Sequence, residues 1–182
     1  GIFNGKNLVN EARAIMRCAR VDAVPDIESA MLGHSLYNSV REAVADGRFL
    51  VYIQPKIDMR TGKLHGAEAL VRGVDEAGAT VPPGQFIEPL EKNGNIRELD
   101  LFMLDQTLRL MDRWREQGLG IVPVSVNFSR VTLFSPTAPA SVLAIQSRYP
   151  GIPADALELE ITESAGSVEK GSLTDVMNRF RE

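Results

Sequence analysis

Residues 66–72 (GAEALVR) constrain the fold most, because they form an apolar run that carries two charges at the spacing of a strand. Alternation along a strand places Glu68, Leu70 and Arg72 on one face, and two alanines and a valine on the other. A charge on such a strand needs a partner, because burying it alone is costly. A metal ion for Glu68 and a phosphate for Arg72 would be such partners, and a structural ion pair between the two side chains is the alternative.

The overall composition is that of an ordinary globular domain, with 44% hydrophobic and 24% charged residues in a chain of 182. A net charge of -4 argues against a surface for long nucleic acid, although one or two arginines suffice to bind a small phosphorylated ligand. The only cysteine, Cys18, cannot form an internal disulfide, which fits a reducing cytoplasm. No apolar run approaches the roughly 20 residues that cross a membrane. We therefore expect a cytoplasmic location and no membrane segment in this chain, whatever anchor the parent protein carries elsewhere.

Alternating and helical periodicities predict an α/β fold. The predicted strands cover residues 49–55, 64–72, 121–127 and 157–162, and the predicted helices cover 82–94, 95–117, 138–149 and 172 onward. A short polar turn joins the first two strands, which predicts an antiparallel pair. The later strands alternate with helices, and this order predicts parallel strands with crossover helices.

Each predicted strand carries polar residues toward its carboxyl end, where barrels of strands and helices place their active sites. The polar positions are Gln54, Glu68, Arg72, Ser125, Asn127, Glu160 and Thr162. Oxygen ligands from Glu68, Asn127 and Glu160 suit Mg²⁺ or Mn²⁺ better than Zn²⁺ or copper. Arg72 could hold a phosphate, and Glu163 could orient a loop or a metal-bound water. Taken singly, each residue also fits a strand cap, a turn or a solvated strand edge, and it is the repetition over four strands that favours a metal site.

Four segments of the chain resemble, in order, the motifs of the EAL-type cyclic-di-GMP phosphodiesterases. They are YIQP at 52–55, GAEALVR at 66–72, VSVN at 124–127 and LELEITES at 157–164. The resemblance assigns residues 48–182 to the N-terminal half of an EAL domain, and the helical pattern before it predicts a connecting helix over 25–47. Residues 1–24 are similar to the end of a GGDEF-type diguanylate cyclase domain, although no signature motif of that domain is present.

The resemblance implies a modified TIM (β/α)8 barrel whose first strand is antiparallel, with about half of the barrel present in this chain. It also implies two Mg²⁺ or Mn²⁺ ions, the second needing residues beyond Glu182, and hydrolysis of cyclic-di-GMP to linear pGpG. By motif position, the metal ligands would be Glu68, Asn127 and Glu160, the dinucleotide contacts Gln54, Leu70 and Arg72, and the catalytic residues Glu68 and Glu163.

The chain also departs from the family pattern. The paired aspartates of the family's fifth strand, and its later lysine, glutamate and glutamine, are absent from these 182 residues. Since the chain opens at Gly1 and a predicted helix still runs at Glu182, we expect a piece of a longer protein that is poorly soluble or inactive alone. The main alternative is a non-catalytic EAL-like receptor or interaction module, and a truncated piece without function is a third. A homodimer through the EAL domain is left open.

Overall fold

The computed structural model describes residues 40–162 and 170–180. The helices are α1 (Val40–Ala45), α2 (Ile87–Asn93), α3 (Ile96–Glu116), α4 (Arg130–Leu133), α5 (Ala138–Gln146) and α6 (Lys170–Arg179). The strands are β1 (Phe49–Ile57), β2 (Leu64–Val74), β3 (Thr80–Val81), β4 (Val124–Phe128) and β5 (Leu157–Ile161). The predictions for residues 1–24 and for most of 25–47 lie outside the described residues, and so does Glu163.

Strands β1 and β2 form the antiparallel hairpin that the sequence predicts, with Gln54 opposite Glu68. The turn between them is closed by Asp58, whose carboxylate accepts the backbone N–H groups of Arg60 and Thr61 at 2.7 and 3.1 Å. Its Gly62 has a φ of +67°, a backbone conformation that residues other than glycine rarely adopt. Local turn chemistry therefore fixes the register that places the polar residues of both strands side by side.

The rest of the sheet is parallel, in the order β1-β2-β4-β5, with short β3 pairing antiparallel with the end of β2. The mixed sheet with an antiparallel first strand confirms the predicted α/β class and strand directions. Closure into an eight-stranded barrel stays a prediction. Among the described residues, none of the helices combines the length and the apolar character that crossing a membrane requires.

Helix α3 supplies much of the core, and its bounds agree with the prediction to within one residue at each end. Its apolar stripe, predicted from the periodicity, is buried and comprises Ile96, Leu99, Met103, Leu104, Leu108, Met111 and Trp114. Gly118 follows the helix with a φ of +69°, and the N–H of Leu119 donates to the carbonyl of Trp114 at 3.0 Å. This left-handed glycine satisfies carbonyls at the helix end, as its position in the sequence predicts.

Three predicted elements were wrong in extent. The helix predicted over 138–149 ends at Gln146. Strand β4 begins at Val124 rather than at residue 121, because Pro123 has no N–H to pair and offers only its carbonyl, which accepts the Ala67 N–H at 2.8 Å. The predicted helix over 82–94 is a 3₁₀ turn (Pro83–Gln85) followed by α2. The break falls at Phe86, whose buried side chain packs against Phe49 with ring centroids 5.4 Å apart.

Candidate functional site

Glu68 and Asn127 meet on the polar face of the sheet, across the parallel pair β2 and β4. The side-chain amide of Asn127 donates to Glu68 Oε1 at 2.7 Å. Asn127 also lies opposite Glu160 in the β4–β5 register. Strand alternation puts the three side chains on one face, and the register brings them to adjacent strands, as the sequence predicts.

A second contact on this face was missed by the sequence analysis. Lys56, near the end of β1, donates from Nζ to Ser125 Oγ and to Glu160 Oε1, both at 2.7 Å. The hydrogen bond from Lys56 lowers the pKa of Glu160, and one from Ser125 lowers it further. The same bond raises the pKa of Lys56. The sequence did carry one signal for Lys56, which lies two residues after Gln54 and therefore on the same strand face.

Arg72 lies beside an aromatic ring rather than beside Glu68. Its guanidinium carbon is 5.5 Å from the ring centroid of Tyr52, and its Nη1 donates to the carbonyl of Val71 at 2.7 Å. No ion pair joins Arg72 to Glu68 in the part of the chain that the structure describes. The structural ion pair weighed from the sequence is therefore wrong. Gln54 is exposed on β1 opposite Glu68.

A cavity of about 290 Å³ adjoins these residues, between β2 and helices α2 and α3. The cavity is lined by residues of β2, of β4 and of the end of β5, together with apolar side chains of both helices. Leu70, Arg72 and Asn127 are among the lining residues, so three of the predicted site residues share one concave surface. Such a surface, apolar with a few convergent polar groups, is typical of a small-molecule site.

Asp100 is a buried carboxylate in the wall of this cavity and was also missed. It accepts the N–H of Ser129 at 3.0 Å and the hydroxyl of Thr132 at 2.5 Å. Burial raises its pKa to about 7, against the lowering effect of these two hydrogen bonds. Asp100 thereby anchors the turn that follows β4 and Asn127 to helix α3. A signal was present in the sequence, since Asp100 falls four residues after Ile96 on the apolar stripe.

The donor set on the polar face fits a hard divalent cation. The carboxylates of Glu68 and Glu160 and the amide of Asn127 supply oxygen atoms, which are the ligands such ions prefer. Glu160 already binds one positive charge, the ammonium of Lys56. Within residues 40–162 and 170–180, however, no group of three or more His, Cys, Asp or Glu side chains could hold a metal. The assignment of Glu68, Asn127 and Glu160 as ligands therefore stays a prediction, and so do the roles of Gln54, Leu70, Arg72 and Glu163.

Curated proteins similar to this chain come from several bacteria. An uncharacterised protein of Mycobacterium tuberculosis is 35% identical over 156 residues, which cover 85% of this chain and 50% of that protein. The oxygen sensor protein DosP of Escherichia coli is 34% identical, over 75% of this chain and 16% of its own length. The cyclic di-GMP phosphodiesterase PA2567 of Pseudomonas aeruginosa is 29% identical, over 81% and 25%. The chain thus spans half the length of these relatives or less.

Solved structures of similar fold and one family signature also match this chain. The PaMucR phosphodiesterase in complex with c-di-GMP superposes with a TM-score of 0.71 at 26% identity, covering 80% of this chain and 59% of that one. The LapD S helix-GGDEF-EAL structure of Vibrio cholerae shares the fold, with a TM-score of 0.67 at 19% identity, covering 86% and 37%. The sequence signature of the EAL domain matches residues 37–182. On this match, which takes in every described strand and helix, the chain belongs to the EAL-domain family.

Proposed function

We propose that the protein to which this chain belongs hydrolyses cyclic-di-GMP to linear pGpG in a reaction that depends on Mg²⁺ or Mn²⁺. The observation that carries the proposal is the joining of Glu68 to Asn127, with Glu160 in register beside them. Its family includes a named cyclic-di-GMP phosphodiesterase, and neighbouring structures contain bound c-di-GMP. A hard-oxygen ligand set beside a cavity that Arg72 lines is the arrangement that this chemistry needs.

In the proposed mechanism, Glu68, Asn127 and Glu160 would hold a divalent ion, and a second ion would take ligands from outside these 182 residues. Such ions activate water and neutralise the charge that develops on an in-line phosphorus centre. Asn127 donates to Glu68 through its amide nitrogen, which leaves its carbonyl oxygen as the ligand atom. Glu68 would thus serve catalysis as a ligand, and Glu163 would support the active-site loop.

The substrate contacts follow from the same face of the sheet. Arg72 would bind a phosphate oxygen, since a guanidinium offers two parallel N–H donors. The Tyr52 ring and the Val71 carbonyl hold that guanidinium near the cavity, which reduces the conformational entropy lost when substrate binds. Gln54 and Leu70 would contact the dinucleotide from β1 and β2.

The test is turnover of cyclic-di-GMP by the full-length parent protein, with pGpG quantified by chromatography. Glu68→Gln removes a ligand charge at nearly constant size, and we expect the rate to fall at least about a hundredfold, because metal-assisted charge stabilisation is worth several kcal/mol. Glu88→Gln is the matched control, because Glu88 lies exposed on α2 and forms an ion pair with Lys92 at 2.6 Å. The control should retain the wild-type rate. Chelation of the metal with EDTA should abolish turnover in both proteins.

Two results would contradict the proposal. Undiminished turnover in Glu68→Gln would remove Glu68 from the mechanism. Binding of cyclic-di-GMP by the wild-type protein without any turnover in Mg²⁺ or Mn²⁺ would instead establish the non-catalytic receptor.

A further inference from the structure

Lys56 links three strands of the sheet through a single side chain. It starts from β1, opposite Gly66 of β2, and its ammonium reaches Ser125 on β4 and Glu160 on β5. Since neighbouring strands lie roughly 4.8 Å apart, the side chain has to pass over β2 to reach β4. Its β2 neighbour at the starting point is Gly66, which has no side chain to obstruct it.

This contact differs from an ordinary surface ion pair. The ammonium has two acceptors on two different strands, both at 2.7 Å, and both charged side chains are partly screened from water, being 36% and 41% exposed. Glu68 and Glu158 add attraction from the same region. Lys56 is therefore a cation that three nearby carboxylates attract.

We propose that Lys56 is a resident cation of the metal site, which holds Glu160 in place before a divalent ion binds and sets the affinity for that ion by opposing its charge. The inference rests on the proposed function, because it takes Glu160 as a metal ligand. It adds a positioning residue that acts on the ion through Glu160 and touches neither substrate nor the reacting atoms.

Loss of Lys56 has two opposing effects on metal affinity, and the larger one decides whether binding tightens or weakens. Losing Lys56 frees one carboxylate oxygen of Glu160 and so loses some positioning, which is a small effect for a partly exposed pair. Losing it also removes a positive charge close to an ion of charge +2, and at such short range this repulsion changes affinity on the order of tenfold even in water. Removal of the charge should therefore tighten metal binding.

The experiment is calorimetric titration of the full-length parent protein with Mn²⁺ alone, without nucleotide. Lys56→Met removes the charge, and Lys56→Gln removes it while keeping a side-chain donor, which guards against a variant that does not fold. We expect both to lower the Kd for Mn²⁺ on the order of tenfold. Lys56→Arg keeps the charge and should stay within about twofold of the wild type. Lys92→Met, on the exposed side of α2, is the matched control and should change nothing.

The outcomes separate this inference from the proposed function. If Glu160→Gln abolishes Mn²⁺ binding while both neutral variants of Lys56 bind it as the wild type does, or more weakly, the metal site stands and the role of Lys56 is overturned. A wild-type protein that binds no Mn²⁺, or binds it unchanged after Glu160→Gln, would overturn both. A role in folding alone would not tighten the binding of an ion, so tighter binding supports the inference.

Discussion

Single residues of this site fall into those that strand alternation reveals and those that it hides. Glu68 and Asn127 stand out from the sequence because each interrupts an apolar run at the spacing of a strand. Lys56 and Asp100 carry only a weak positional signal, because each draws its role from partners far away in the sequence. Lys56 bonds Glu160, 104 residues later, and Asp100 bonds the backbone of Ser129, 29 residues later. Such pairings depend on sheet order and helix placement, which periodicity alone does not give.

Asp100 gives a prediction about pH and stability. Its folded pKa of about 7 lies above the ordinary value of 3.8, so the folded state holds a proton that the unfolded state releases. Stability from this group is therefore fully present below about pH 4 and is lost as the pH rises to 7. Asp100→Asn removes this dependence. Between pH 5 and pH 8 the variant should gain roughly 3 kcal/mol in free energy of unfolding relative to the wild type.

Urea unfolding at the two pH values measures that difference. The Asp100 side chain faces the Ser129 backbone and Thr132 directly, and Glu91 of α2 is the further charge that acts on it. Asp112→Asn on the same helix is a fitting control, since Asp112 pairs with Arg115 on the outer surface and should show no such trend. Parallel pH profiles for the wild type and Asp100→Asn would show that Asp100 is ionised in the folded protein across this range.

At the scale of elements, the contact between β2 and β4 sets the spacing of the site. Gly66 is buried there, and a Cβ atom added to it would stand 2.7 Å from the backbone oxygen of Pro123. The same oxygen accepts the Ala67 N–H at 2.8 Å, so it cannot retreat without losing a sheet hydrogen bond. Gly66 is thus required by close approach of two backbones, and it lies two residues before Glu68 on the same strand face.

Gly66→Ala should accordingly destabilise the protein by about 1 to 3 kcal/mol, because overpacking against backbone forces a strand to move. It should also weaken Mn²⁺ binding, because the displacement of β2 would move Glu68 away from Asn127. Gly84→Ala is the matched control. Gly84 has open space around its Cβ position, and the change there should stay within roughly 0.5 kcal/mol. Thermal unfolding and Mn²⁺ titration of both variants make the comparison, and equal stability of the two would contradict the argument.

The elements themselves were largely predictable. The hairpin, the long helix α3 and the parallel order of the later strands follow from alternation, turn residues and the apolar stripe, and the structure confirms them. The late start of β4 and the break before α2 were not foreseen. Both arise where a backbone donor is missing or a buried aromatic residue turns the chain, at Pro123 and Phe86, and hydrophobic periodicity does not register either cause.

At the scale of the whole molecule, the sheet separates two kinds of surface. Apolar residues such as Val124 and Val126 face the helices and are fully buried, while their neighbours on the strands form the polar face. A helix-covered core thus holds the backbone on which Glu68, Asn127 and Glu160 stand. The GGDEF-like segment over 1–24, a homodimer and the closed barrel concern parts or assemblies outside the described residues, and they stay predictions.

This coupling of core and site predicts that metal binding stabilises the fold. Trp114 is the only tryptophan of the chain and is 1% exposed in the α3 core, so its fluorescence in an isolated sample of residues 1–182 that remains in solution would report loss of the core. An ion that binds only the folded state stabilises it by about 2.7 kcal/mol when present at 100 times its Kd. The urea midpoint should rise accordingly with Mn²⁺ and fall back with EDTA. Glu68→Gln should lose most of this rise, whereas Glu88→Gln should keep it. A rise of the same size in both variants would place the ion elsewhere on the molecule, because Glu68 stands on the polar face and Glu88 does not.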